Sequence, residues 1–575
     1  MTSTKTSWWR SGAPTWQADG WSLELRGDEL ADIRRGGAVI LRAVRAVVRD
    51  HSWNTVPTSV TAVHSDAESL TLSLRQEGLG AEMLSTLTVR AVGEELRIVW
   101  DAENIRDFPT CRTGLVVLHP ASDAGRRVTV THSDDSTEQT AFPTRIRSHQ
   151  PIMDIRALEV HSPDDADAVT TLRFDGDVFE MEDQRNWSDA SFKTYSRPLG
   201  LPYPYPMVAG DRVRQSITMN AVRTPAVESA MAQEIVLAED GLFPAIGVEA
   251  STAPDPGPQC ADGSFRVVEL NLTTPTWPAA LVRAAADGLP LDVRLVIGED
   301  LNPLADAARA LADHPVIAVT PFDSVLHVSD ERTVTRTRAA LVAAGVSTLL
   351  RGGARSHFTE LNRETDRIPD DVDGIAFTTT PLFHSLDTEQ LVEALPMQRL
   401  IAVQAVEMAD GRPVHIGPVA LRPRFNNVAT SPEPAPASTD LSEGYGAQFT
   451  GGEDERQTSA ELAAWTIASA AALAVPGVES LSWFETWGPR GLRNAAGAPR
   501  PAAEAIAALS PLAGRIRLWG SSPDGLLWAI GARADHEDVV LVANLGGMSR
   551  EVAVATPGRA VLRGSVPAGS WSRLT

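Results

Sequence analysis

The feature that most constrains this chain is an alternation running from about residue 264 to residue 510. Near-continuous apolar runs at 266–272, 291–297, 316–320, 347–351, 374–378, 400–406, 414–421 and 479–484 alternate with helical stretches at 278–286, 303–312, 332–344, 388–395 and 459–473. An apolar run without period-2 polarity reads as a strand buried on both faces, and such strands sit in parallel sheets covered by helices. Eight of them predict a central (β/α)8 TIM-like barrel, with a doubly wound sheet as the other arrangement. The run at 400–406 is read as a strand because Pro396 interrupts the helical pattern that begins at 388. The short link from there to 414 leaves no room for a crossover helix, so a parallel pairing of those two runs is the weakest joint of the prediction.

The flanks read differently. Short alternating runs at 21–25, 38–48, 69–74, 84–89, 96–100, 115–119, 128–131 and 214–222 are separated by Gly, Asp, Asn and Ser, the pattern of an antiparallel β-sandwich. Residues 226–262 are transitional, with one apolar run at 243–248 and a Pro- and Gly-rich stretch at 251–263. Short strands return after about 512. The expected layout is multidomain, α/β plus all-β: an N-terminal β-sandwich over 1–225, a catalytic barrel over 226–511 and a small C-terminal β-domain over 512–575. Residues 422–457 carry Pro432, Pro434 and Pro436 and are too long for an ordinary connection. Following the seventh strand, they would lie on the barrel's active face.

Composition narrows the function. With 51 Lys+Arg against 74 Asp+Glu the net charge is −23, which repels phosphate backbones and anionic lipid, so neither nucleic acid nor membrane is an expected partner. Two cysteines, Cys111 and Cys260, cannot build a disulfide framework or a thiolate metal cage. Residues 1–9 lack the apolar stretch of a secretory leader, and no run of about 18 apolar residues occurs, so a cytoplasmic location is expected. Phosphate-loop, nucleophile-elbow and zinc-helix motifs do not occur. No cofactor and no metal are expected. The expected ligand is a small sugar or sugar lactone, and self-association is left open. Lysine occurs only at Lys5 and Lys193, with arginine supplying the other 49 cations. A bias in codon usage accounts for that ratio, yet the retained Lys193 suggests a place that needs a compact, titratable ammonium.

In a barrel the reactive groups lie just past the C-terminal ends of the strands. Glu485, in SWFETWGPRG, ends the last strand between aromatic residues, whose low polarity raises a carboxyl pKa toward the range of a general acid or base. The plain alternative is a carboxylate paired with Arg490. Glu360, in HFTELNR after the fourth run, is the candidate partner, or else a helix-entry residue balanced by Arg363. Asn362, Arg363, His384, Asn426, Trp487 and Arg490 lie at the same strand ends and could bind a polyol. The densest polar cluster, at 176–205, holds Glu182, Arg185, Asn186 and Lys193 between Trp187 and Phe192. Neither of its period-2 faces is apolar, which suits a sugar-contact surface or a salt-bridged domain interface equally.

The run FEMEDQRNWSDASFKTY at 179–195 resembles the signature of the D-apionate lactonase family. VRDHSWNTVP at 48–57, GLVVLHP at 114–120, PIMDIRALE at 151–159, FTELNR at 358–363, PVALRPRFN at 418–426 and FETWGPRGL at 484–492 match in the same order. The resemblance implies a glycoside-hydrolase-like build, with a β-domain before and after the barrel, and hydrolysis of D-apionolactone to its aldonate in the cytoplasm. It assigns no catalytic residue; the site is read from the strand ends. Three functions are carried forward. The first is a metal-independent sugar lactonase with Glu485 or Glu360 as base. The second is a glycoside hydrolase using that pair. The third is a non-catalytic carbohydrate-binding protein.

Overall fold

A computed structural model describes residues 8, 13–162, 168–221, 234–425, 427–428, 438–446, 453–534 and 537–575. The N-terminal unit is a sandwich of two antiparallel sheets. Strands Ala38–Arg49, Arg112–Pro120, Ser191–Tyr195 and Phe179–Asp183 lie side by side in the eight-stranded sheet, and the other sheet has nine strands. Alternation does the work here. In Ala81–Val92 every second residue is buried, so Met83, Leu87 and Val89 share one core with Leu41, Val44 and Leu115 of the facing sheet.

The barrel is closed and parallel. Its strands are Ala245–Glu249, Phe265–Asn271, Leu291–Ile297, Val316–Asp323, the pair Leu349–Leu350 and Gly352–Gly353, Ile375–Thr379, Val414–Val419 and Val478–Trp487. The first pairs with both the second and the eighth, and the ring closes through the interrupted fifth. Strands such as Leu291–Ile297 are buried throughout, as a wall between a packed interior and covering helices must be.

One expectation is corrected. Residues 400–406 are not a strand; they belong to the helix Thr388–Ala409, which contains Pro396. Buried Leu391, Ala394, Leu395, Ile401, Ala402, Ala405 and Ala409 recur at helical spacing through the proline, and that packed face outweighs one missing backbone donor. The missing strand comes from Ala245–Glu249, in the stretch read as transitional. Two strands further upstream join the C-terminal sheets instead. Glu234–Val236 pairs with Arg550–Ala555, and Ala238–Leu242 with Ile516–Ser521. No helix among the described residues is long and apolar enough to cross a membrane.

The eight-stranded sheet packs on the barrel. Arg42 reaches Glu393 at 2.7 Å, and Ile146 N–H donates to Gln404 at 2.9 Å. Ser188 and Thr379 hydroxyls meet at 2.8 Å, and Thr359 Oγ1 donates to the Asn186 carbonyl at 2.9 Å.

Candidate active site

The C-terminal rim of the barrel gathers three glutamates. Glu249 ends the first strand, Glu269 lies near the end of the second, and Glu485 lies near the end of the eighth. A bulge brings two of them together. Val248 pairs with Trp483, and the next residue, Glu249, pairs with Glu485, so Phe484 is skipped. Phe484 takes a left-handed φ of 50°, unusual for a bulky residue. In an unbulged ladder Glu249 would face Phe484; the extra residue sets two carboxylates opposite each other. Glu249, Glu269 and Glu485 line one cavity with Arg424, Arg490 and Tyr445.

Each carboxylate is held differently. Glu485 is 2% exposed. It accepts from the Thr252 N–H at 3.1 Å and the Thr252 hydroxyl at 2.7 Å, and meets Arg490 at 3.0 Å. Glu269 receives a forked pair of bonds from Arg355 at 2.8 and 3.2 Å, and Arg424 lies 3.5 Å away. Burial pushes Glu269 upward, but Arg355 and Arg424 hold it down at about 2. Glu249 is the contrast. Burial raises it to about 7, and the charges of Glu485 and Glu269 add to the rise against the pull of Arg424. Arg424 donates to Glu249 and so spans Glu249 and Glu269. His327 stands beside Arg355 at 3.4 Å, and burial lowers it to about 4, leaving it neutral at physiological pH. Among the described residues no group of three or more His, Cys, Asp or Glu side chains is disposed to hold a metal ion.

The other residues singled out in the sequence fall into two places. Glu360 does not line the cavity of Glu485. It opens the helix Phe358–Glu364, where it accepts from Ser356 Oγ at 2.5 Å and from Asn427, and burial raises its pKa. Trp487 lines a separate outer cavity, with Arg283 5.2 Å from its ring centre. Asn426 lies outside the described residues. The remaining candidates are at the sandwich–barrel interface. Arg185 is forked onto Asp183 at 2.7 and 2.8 Å, and Asn186 accepts from Asn362 at 2.8 Å. Arg363 donates to the Ser148 carbonyl at 3.0 Å and stands 3.9 Å from Glu182. Lys193 pairs with Glu182 at 2.5 Å, and His384 with Asp189 at 2.7 Å. Burial opposes ionisation of Glu182, but Lys193, His384 and Arg363 hold it well below the carboxylate range.

Sequence reasoning missed Glu249, Glu269, Arg355 and Arg424 as site residues. Glu269 carried a signal, a charge inside the apolar run 266–272, where an unpaired carboxylate is not tolerated. Arg355 and Arg424 stand at strand ends. Glu249 closes the run 243–248, which lacked a following helix to mark it as a barrel strand.

Two family models cover these same units. The D-apionate lactonase N-terminal domain matches residues 1–224, and the D-apionate lactonase TIM barrel domain matches residues 272–514. The chain belongs to the D-apionate lactonase family. Membership makes it a lactonase-type hydrolase, which sets aside the non-catalytic reading. A D-apionate lactonase from Brucella anthropi is 28% identical over 558 residues, covering 88% of this chain and 89% of its own. Among solved structures, a galactose mutarotase-like protein from Lactobacillus casei aligns with 36% of this chain and 99% of its own, at 10% identity and a TM-score of 0.27. A GH30 endoxylanase from Clostridium papyrosolvens aligns with 59% of this chain and 98% of its own, at 10% identity and a TM-score of 0.35.

Proposed function

We propose that this chain opens a sugar lactone of the D-apionolactone kind to its aldonate, in the cytoplasm, with Glu249 as general base. The observation that carries the reading is the bulge that sets Glu249 opposite Glu485 in a cavity also lined by Arg424 and Arg490. A base works best when its pKa lies near the working pH, which fits Glu249 at about 7. Glu485, saturated by Thr252 and Arg490, instead supplies fixed negative charge that keeps Glu249 basic.

The steps balance without a co-reactant. Glu249 takes a proton from water, whose oxygen bonds to the lactone carbonyl carbon. The carbonyl oxygen becomes an oxyanion, and Arg424 and Arg490, which line the cavity, supply fixed donors for it. Collapse breaks the bond from that carbon to the ring oxygen, which takes the proton back from Glu249. The acid released ionises to the aldonate.

The test is steady-state opening of D-apionolactone by wild type, Glu249→Gln and Glu485→Gln. Loss of turnover in Glu249→Gln is expected; full activity in both variants would remove the mechanism. The facing carboxylates also suit a glycosidase. Release of aryl alcohol from aryl glycosides, with no lactone opening, would select that reading.

A further inference from the structure

A second cavity lies between the eight-stranded sheet and the barrel. Five cations line it: Arg42, Arg45, Arg49, Arg112 and Lys193. Three have their own counter-charge. Arg42 meets Glu393 at 2.7 Å, Arg45 meets Asp28 at 2.8 Å, and Lys193 meets Glu182 at 2.5 Å. The other two form no ion pair of their own, although Asp189, which lines the same cavity and is bonded to His384, and Glu182 act on Arg49 from further off. Arg49 donates to the Trp53 carbonyl at 2.8 Å, and among the described residues the Arg112 Nε has no hydrogen-bond partner.

The fold sets these two against each other. Arg49 and Arg112 are direct partners across the antiparallel pair Ala38–Arg49 and Arg112–Pro120. Like charges directly opposite repel. Arg112 is 5% exposed, its Nε has no partner, and its guanidinium is clamped 3.6 Å from the Tyr195 ring centre and 5.2 Å from that of Trp53. Lys193 Nζ stands 5.3 Å from the same Tyr195 ring. Burial, and then Arg112, lowers Arg49 to about 10. A cationic pair without an ion-pair partner of its own, held rigidly at a cavity wall, suits an anion, and planar guanidinium forks suit a carboxylate. The same cavity contains Glu29, 1% exposed, which stands 3.5 Å from Arg42 and 4.0 Å from Arg45 with neither carboxyl oxygen hydrogen-bonded, and also Ser191, whose hydroxyl donates to Gln184 at 2.9 Å. Those groups complement hydroxyls.

We infer that this cavity binds a sugar acid, with the carboxylate on Arg49 and Arg112 and the hydroxyls toward Glu29, Gln184 and Ser191. It is separate from the rim cavity, which shares none of these residues. The choice of a sugar acid rests on the lactonase reading, since an aldonate is its product; the anion site itself does not.

Calorimetric titration of the full chain with sodium D-ribonate, D-ribitol and inorganic phosphate tests the inference. Ribonate should bind wild type and Glu249→Gln alike, bind Arg112→Gln at least tenfold more weakly, and leave ribitol without measurable heat. Arg49→Lys keeps the charge without the fork and should also weaken ribonate severalfold, which covers an Arg112→Gln that fails to fold. No binding to wild type, or binding to both arginine variants as tight as to wild type, overturns the site. Phosphate binding in place of ribonate overturns the sugar acid as ligand. Binding lost in Glu249→Gln but kept in Arg112→Gln would move ribonate to the rim and overturn the second site. Ribonate has no lactone to open, so this result stands or falls independently of the turnover assay.

Discussion

The cavity at the barrel rim and the cavity beneath the sandwich use the same side chains in different balance. At the rim Arg355, Arg424 and Arg490 each meet a carboxylate, and burial, with the charges of two neighbouring carboxylates, pushes Glu249 to about 7. Beneath the sandwich two arginines face each other without an ion pair, and Glu182 and Asp189 act on Arg49 only from further off. The difference teaches that composition alone does not define a site. Crowded, compensated acids make a proton carrier, whereas uncompensated cations make an anion cradle.

The largest effect expected from this contrast is on turnover. Glu249→Gln should lower kcat by about 100-fold or more, the range of a lost general base. Glu360→Gln, outside the cavity, should cost less than about tenfold; an equal loss in steady-state lactone opening would break the contrast. Next comes stability. Glu269→Gln removes the partner of Arg355 and leaves buried charge behind, so unfolding in urea should show a loss of about 3–5 kcal/mol.

A pH effect of similar kind is somewhat smaller. Glu249 is raised above its ordinary value, so the folded chain binds the extra proton. The stability this confers is present below pH 4.5 and lost as pH rises to about 7, on the order of 3 kcal/mol in all. Urea unfolding of wild type relative to Glu249→Gln across that window should show this slope, and kcat/KM should rise through pH 7 as the base is freed. The smallest effect belongs to the other cavity. Arg49→Gln relieves a cross-strand repulsion and should change stability by less than about 1 kcal/mol, upward at low salt, read as a shift in Tm. A loss as large as that of Glu269→Gln would mean that Arg49 is compensated after all.

Much of the architecture was legible in local pattern. Both β units and seven of the barrel strands follow from runs and alternation that a short window contains. The helix Thr388–Ala409 was misread because Pro396 is a strong local signal, while the buried face that overrides it exists only once the barrel is assembled. Glu485 was legible as an acid among aromatics at a strand end. Its neighbour was not: the partner expected was Glu360, which turned aside to Ser356 and Asn427. The polar run at 179–195 was legible as a site or an interface, and it proves to be an interface that also walls a cavity.

The sequence by itself determined the barrel, the sandwich ahead of it and the family signature, because apolar period and motif are properties of neighbouring residues. Tertiary structure decided which acids meet. Glu249 faces Glu485 because closing the ring pairs its first strand with its eighth, and a bulge at Phe484 sets the register there. Arg49 faces Arg112 through another long-range pairing. Register between distant strands is a property of the closed sheet, and no local stretch of either strand encodes it.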